Sequence, residues 1–236
     1  MLLERDDLLQ QLDDLARAAD SRHGAIALVA GEAGIGKTTL LEEMRHRVSH
    51  TCEVFWGGCE ALATPQPLGP IHDMAPALGN GVGEMLGRSA QPAELFDAIL
   101  KRLENSSKPA VLVFEDIHWA DHATLDFLKF IGRRASMLRM LLVLSYRSDE
   151  VAGDHPVGRV VAGLPHTYTH TIDIKPLSKQ AVEALGASSG YVDESLYETT
   201  AGNPFFVTEL IAWQDSARGS VPASVKDAVA SRLNRL

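Results

Sequence analysis

The sequence predicts a parallel α/β core followed by a helical lid, and three observations lead there. Short apolar runs alternate with helix-length amphipathic segments as far as Pro176, after which only helical patterns remain. The apolar runs show no polar alternation, which suits strands covered on both faces, as in a parallel sheet. The first run passes through a glycine-rich turn directly into a helix. The expected division is an α/β core over residues 1–176 and a lid over residues 177–236.

The elements follow in chain order. Leu8, Leu9, Leu12 and Leu15 recur at helical spacing, and Ser21–Gly24 breaks that helix. Ala25–Ala30 is the first strand, and a helix is expected from Lys37 to about Val48. Val54–Trp56 is a second strand. The Pro- and Gly-rich stretch from Ala61 to Pro92 reads as loop with short helices. Ala93–Leu103 is helical, with Leu95, Ile99 and Leu103 on one stripe, and Asn105–Pro109 is a turn. Ala110–Phe114 is the clearest strand. Ala123–Ala135 is a helix, Met140–Ser145 a buried strand, and Thr169–Ile174 alternates as an edge strand should. Helices are expected over Ser178–Leu185, Glu194–Thr200, Pro204–Trp213 and Ala223–Leu236. In the last, the stripe Val225, Val229, Leu233 runs to Leu236 without a stop signal, so the chain is expected to be cut from a longer protein.

Composition excludes several function classes. The 236 residues are 45% hydrophobic and 22% charged, an ordinary globular balance and not that of a disordered or collagen-like chain. Lys and Arg total 22 against 31 acids, a formal charge of −9, which argues against broad non-specific binding to nucleic acid. Cys52 and Cys59 fit no common zinc spacing and read as reduced, partly buried thiols. No apolar run approaches the ~20 residues of a membrane helix, and Met1–Asp7 lacks the features of a signal peptide. A soluble, cytoplasmic protein with no membrane partner is expected.

Gly31-Glu32-Ala33-Gly34-Ile35-Gly36-Lys37-Thr38 fits G-x-x-x-x-G-K-[ST] at every fixed position. Glycines let the backbone curl so that its N–H groups converge on an anionic phosphate, and the following helix adds its dipole and free N–H groups. Lys37 reaches β- and γ-phosphates, and the Thr38 hydroxyl holds Mg²⁺. Roughly one random chain of this length in a hundred carries such a match by chance. The strand before it and the helix after it are the context that confirms it.

The strand Val111–Phe114 delivers Glu115 and Asp116 at its carboxyl end. Glu115 is assigned to the metal and Asp116 to deprotonation of the attacking water. Arg147 closes the Met140–Ser145 strand, where it can face the γ-phosphate. His118 and His122 lack the Glu that a zinc protease needs after its first His, so His118 and Trp119 are expected to pack or hydrogen-bond beside the acid pair.

Leu3-Glu4-Arg5-Asp6, the phosphate loop, Phe114-Glu115-Asp116-Ile117-His118-Trp119-Ala120-Asp121, Tyr146-Arg147 and Gly202-Asn203-Pro204-Phe205-Phe206 occur in one order. In this the chain resembles the nucleotide-binding module of the signal-transduction ATPases with numerous domains (STAND). It is most similar to the modules of large LuxR-type and maltose-activator-like bacterial transcription regulators. The resemblance implies an AAA-like P-loop NTPase with five parallel strands in the order 5-1-4-3-2. It implies ATP or ADP with Mg²⁺, Arg5 beside the adenine, and Pro204 touching the nucleotide. Lys37, Thr38, Glu115, Asp116 and Arg147 match the family's phosphate and magnesium positions. With Gly31, Gly34, Ile35, Gly36 and Thr39 they make up the expected site. Glu115 stands where many members have Asp. The resemblance also implies nucleotide-dependent self-association in the ATP state as an expectation, and contact with DNA only through domains absent from this chain.

Three functions compete on these residues. The first is a regulatory switch with slow ATP hydrolysis. The second is a steadily turning AAA+ ATPase, such as a loader, which needs an arginine from a neighbour; Arg133, Arg134 and Arg139 are candidates. A small-molecule kinase is the third, and the acidic, apolar lid sequence argues against it.

Overall fold

A computed structural model describes residues 2–21, 23–88, 90–151, 153–190 and 195–215. In order, they form α1 (Asp6–Asp20), β1 (Ala25–Gly31), α2 (Lys37–Val48), β2 (Glu53–Gly58), α3 (Gly69–Leu78), α4 (Asn80–Gly87), α5 (Pro92–Glu104) and β3 (Ala110–Glu115). Then come α6 (His122–Gly132), β4 (Met140–Arg147), α7 (Pro156–Ala162), β5 (Thr169–Asp173), α8 (Lys179–Ser188), α9 (Leu196–Thr200) and α10 (Pro204–Asp215). The expected helix over Ala223–Leu236 lies outside the described residues. No described helix is long and apolar enough to cross a membrane.

The chain divides into two compact units. The sheet unit holds Asp7–Glu32 and Lys37–Asp173, and the helical unit holds Met1–Asp6, Ala33–Gly36 and Ile174–Leu236.

The sheet has five strands in the order β2-β3-β4-β1-β5, every neighbouring pair parallel. Read from the other edge this is 5-1-4-3-2, the expected order. β1, β3 and β4 sit in the interior and are almost wholly buried, which is why their apolar runs lack alternation. Ile26, Leu28, Leu112, Phe114, Leu142 and Leu144 form one cluster with the buried stripes of α3, α5, α6 and α7. The intervening Ala27, Val29, Val111, Val113, Leu141 and Val143 are equally buried. α1 and α2 bury Leu9, Leu12, Leu40, Leu41 and Met44, none of which belongs to that cluster. β5 is an edge strand, and of its five residues Ile172 is the buried one.

Several boundaries differ from the sequence reading. The helix expected to reach Ala135 stops at Gly132, and a 3-10 turn follows over Ala135–Met137. Ala135 is fully buried there, and its carbonyl lies where a Cβ on Gly24 would fall. α7 went unread, although Pro156 occupies its first turn and His155 Nδ1 accepts the Val157 N–H at 3.2 Å. β4 runs two residues beyond Ser145, which sets Arg147 in register with Gly31.

In the helical unit, Leu177, Val182, Leu196, Val207, Leu210 and Ile211 form a small core of their own. Ser178 caps α8 by accepting the Ala181 N–H at 3.2 Å. Gly202 is left-handed (φ 74°), and a Cβ there would lie 2.1 Å from the Leu177 carbonyl oxygen, so only glycine fits.

Candidate functional site

Parallel pairing brings the carboxyl ends of β1, β3 and β4 to one edge of the sheet, where open α/β folds bind ligands. From β1 the chain enters the glycine-rich loop. Gly34 (φ 73°) and Gly36 (φ 97°) are both left-handed, which is the curl this motif requires. Ile35 between them is buried, while Thr38 and Thr39 are exposed at the start of α2.

Lys37 is only 7% exposed. Its Nζ donates to Gly31 O at 2.9 Å and Glu32 O at 3.0 Å, the carbonyls that begin the loop. Burial pulls the Lys37 pKa below its usual value, and the nearby Asp116 carboxylate opposes the shift. A buried cation without a counter-anion in contact among the described residues is a place where a phosphate would be well received.

The two neighbouring acids are held differently. Glu115 ends β3 in register with Gly58. Its Oε1 accepts from the Thr38 hydroxyl at 2.7 Å and its Oε2 from the Trp56 indole N–H at 3.0 Å. Burial raises the Glu115 pKa, and those two hydrogen bonds work against the rise. Asp116 has a left-handed backbone (φ 50°, ψ 44°), which is uncommon outside glycine. Its N–H donates to the buried Ser145 Oγ at 3.1 Å, and its carboxylate accepts no hydrogen bond among the described residues. The left-handed turn takes the chain out of the strand and leaves that carboxylate unclaimed.

Arg147 Nη1 donates to Glu150 Oε1 at 2.6 Å, and its guanidinium lies 4.7 Å from the centre of the Trp119 ring. His118 packs on the same Trp119, ring centres 4.6 Å apart, without a hydrogen bond to either nitrogen among the described residues. Asp121, which closes the acid-rich string, has a structural task. It caps α6 by accepting the Ala123 and Thr124 N–H groups at 2.9 and 3.1 Å, and it takes the Leu68 N–H at 3.1 Å.

In the helical unit the loop crest is tied to the start of α10. Asn203, 1% exposed, donates from Nδ2 to Ala33 O at 2.9 Å. Its Oδ1 accepts the Phe205 N–H at 3.1 Å, and that N–H also reaches Gly34 O at 3.2 Å. A Cβ on Gly34 would lie 2.7 Å from Phe205 Cβ. Pro204 opens α10 between them. Arg5 is 4% exposed and donates to Glu4 O at 3.0 Å and Lys175 O at 2.7 Å. The Glu4 carboxylate takes the Ser178 N–H at 2.8 Å and the Ser178 hydroxyl, which together hold its pKa below the usual value.

Lys37, Thr38, Glu115, Asp116 and Arg147 therefore gather in the sheet unit, while Arg5, Pro204 and the crest residues Gly34, Ile35 and Gly36 belong to the helical unit. The residues fit a nucleotide with Mg²⁺. Thr38 and Glu115 offer hard oxygen donors at 2.7 Å from each other, and a Cβ on Gly36 would meet nothing within 4 Å, leaving room above the loop. Sequence reasoning missed Trp56, Ser145, Glu150 and Asn203 as parts of the site. Trp56 acts through strand register, which a sequence does not print. Glu150 lies three residues after Arg147, across the turn that leaves β4, and that spacing was a readable signal.

Comparison with known proteins agrees with this geometry. The family model for the AAA ATPase domain matches residues 1–144. An uncharacterized protein of Rhizobium meliloti (strain 1021) is 24% identical over 294 aligned positions; these cover 100% of this chain, which spans 28% of that protein's length. Among solved structures, the Aeropyrum pernix ORC1 protein in complex with DNA has a TM-score of 0.60 at 17% identity, covering 100% of this chain and 66% of that one. The Walker-type ATPase of Pyrococcus abyssi has a TM-score of 0.59 at 11% identity, covering 89% and 67%. A STAND protein with a tetratricopeptide repeat sensor from Pyrococcus horikoshii has a TM-score of 0.54 at 14% identity, covering 94% and 32%. At these identities the likeness is one of fold.

Proposed function

The chain belongs to the AAA ATPase family, and from that premise we propose that it is an ATP- and ADP-binding switch module with slow, Mg²⁺-dependent hydrolysis, of the kind found in large LuxR-type STAND regulators. One observation carries the reading. The carbonyls of Ala33 and Gly34 at the loop crest are hydrogen-bonded to Asn203 and Phe205. A loop that rearranges around a nucleotide then acts directly on the start of α10, and a nucleotide that prefers one arrangement shifts the population of the other.

The chain's own groups divide the work. Lys37 leaves the Gly31 and Glu32 carbonyls for the β- and γ-phosphates, and the anion relieves the cost of its burial. Loop N–H groups from Gly31 to Thr39 surround the phosphates, while Arg5 and Pro204 stand by the base. Thr38 and Glu115 hold Mg²⁺, which when bound neutralises phosphate charge. Asp116 accepts the proton of the attacking water as its oxygen bonds to the γ-phosphorus. The bond to the β–γ bridging oxygen breaks, and ADP and phosphate leave. Arg147 faces the γ-phosphate once it parts from Glu150.

In this reading the core spans residues 1–176 and the lid 177–236, within a longer cytoplasmic regulator that self-associates with ATP and meets DNA through other domains. The share of the Rhizobium protein that the chain spans, 28%, supports a modular parent. The test is to denature freshly purified protein and identify the released nucleotide by chromatography. Near-stoichiometric ADP supports the switch. An empty protein that releases phosphate steadily from ATP favours a turning ATPase, and one that binds neither nucleotide contradicts the reading.

A further inference from the structure

His118 is an anomaly of the sheet unit. Its side chain is 0% exposed, and neither ring nitrogen has a hydrogen-bond partner among the described residues. Buried nitrogens without partners are rare and costly, so for packing alone a phenyl ring would serve better. Both nitrogens nevertheless aim at acids. Nδ1 lies 3.8 Å from Asp116 Oδ1, and Nε2 lies 3.6 Å from Glu150 Oε2. The other Glu150 oxygen accepts from Arg147 at 2.6 Å, and Trp119 stacks against both the imidazole and the guanidinium. The charged groups acting on the ring are Asp116, Glu150, Arg147 and Lys37.

We propose that His118 is a positioning residue that couples Asp116 to Arg147 through Glu150, so that the group facing the phosphate sets the orientation of the group that takes the proton from water. This rests on the roles given above to Asp116 and Arg147. The chemistry follows from the inventory of donors. A carboxylate only accepts, and a neutral imidazole carries one N–H. The ring can therefore donate to one of its two acids at a time. Burial lowers its pKa and so favours the neutral ring, against the pull of Asp116 and Glu150. With Arg147 paired to Glu150, as here, Glu150 already has its donor and the imidazole N–H falls to Asp116. Each contact is a few tenths of an ångström beyond a hydrogen bond, so a small ring movement makes either one.

The experiment compares His118→Phe, Glu150→Ala, their double variant and Asp116→Asn with the unaltered chain. His118→Phe should melt no lower than the unaltered chain and bind ATP within about twofold by calorimetry, while kcat falls about ten- to a hundredfold. The double variant should lose less than the product of the two single losses. His118→Asn, which keeps a polar group toward Asp116, should recover part of the rate and serves if the Phe variant does not fold. Full kcat in His118→Phe alongside a slow Asp116→Asn would overturn the coupling, as would losses that simply multiply. Full turnover in Asp116→Asn would instead remove the role given to Asp116 itself.

Discussion

The edge of the sheet and the helical unit use their signature residues differently, most plainly in their acids and hydroxyls. At the sheet edge the Thr38 hydroxyl donates to Glu115, Lys37 is held by two backbone carbonyls, and the Asp116 carboxylate accepts no hydrogen bond among the described residues. In the helical unit, Arg5 and Asn203 are 4% and 1% exposed and bond to backbone carbonyls. Both sets stand out in the sequence as motifs. On the reading proposed above, the edge offers acids and a hydroxyl to a ligand, whereas the buried groups of the helical unit, Arg5 included, also hold their own backbone. Substitutions at the edge should change function at nearly constant stability, and substitutions in the helical unit should change stability first.

The largest effect is expected at Lys37. Lys37→Ala removes the loop's mobile cation, and charge-assisted hydrogen bonds are worth about 2–3 kcal/mol, so ATP affinity by calorimetry should fall roughly 30- to 150-fold. Asp116→Asn comes next. It should leave ATP affinity within about twofold and slow single-turnover hydrolysis by about a hundredfold or more. Equal rates would show that Asp116 is not the proton acceptor.

In the helical unit the corresponding change is Asn203→Ala. It leaves the Ala33 carbonyl and part of the Phe205 N–H pairing unmet in a half-buried place, and removes a side chain that is itself buried. Urea unfolding should show a loss of about 1–3 kcal/mol. An unchanged midpoint would mean that the crest does not depend on Asn203. Trp56→Phe is subtler, because an aromatic ring stays while the N–H to Glu115 is lost. ATP affinity in chelator should be unchanged, and the Mg²⁺ concentration needed for half-maximal binding should rise roughly fivefold. The smallest effect concerns Cys59. Burial pushes its thiol up to about 12, so at pH 8 it should react with iodoacetamide only after denaturation.

Much of this architecture was legible in the sequence, and the reason is physical. β1, β3 and β4 are buried on both faces, so their apolar runs are unbroken and easy to see. The phosphate loop announces itself because left-handed backbone at Gly34 and Gly36 demands glycine. What escaped depends on pairing across the chain. Trp56 reaches Glu115 from a neighbouring strand, and Ser145 reaches the Asp116 N–H from another. α7 is short and holds Gly158, so its periodicity was too weak to read, although Pro156 marked its start. The helix that stopped at Gly132 did so because the buried Ala135 turn takes over, which is a matter of packing and not of propensity.

The most direct test of the switch is hydrogen exchange at the start of α10. The amides of Asn203 to Ile211 would be followed in the full chain with ADP and with a non-hydrolysable ATP analogue, both with Mg²⁺. The Phe205 N–H should be protected with ADP and exchange faster with the analogue, because the Gly34 carbonyl it bonds to moves with the loop, and the amides of the first turn of α10 should follow it. Identical exchange with the two nucleotides, both shown to be bound, would contradict it.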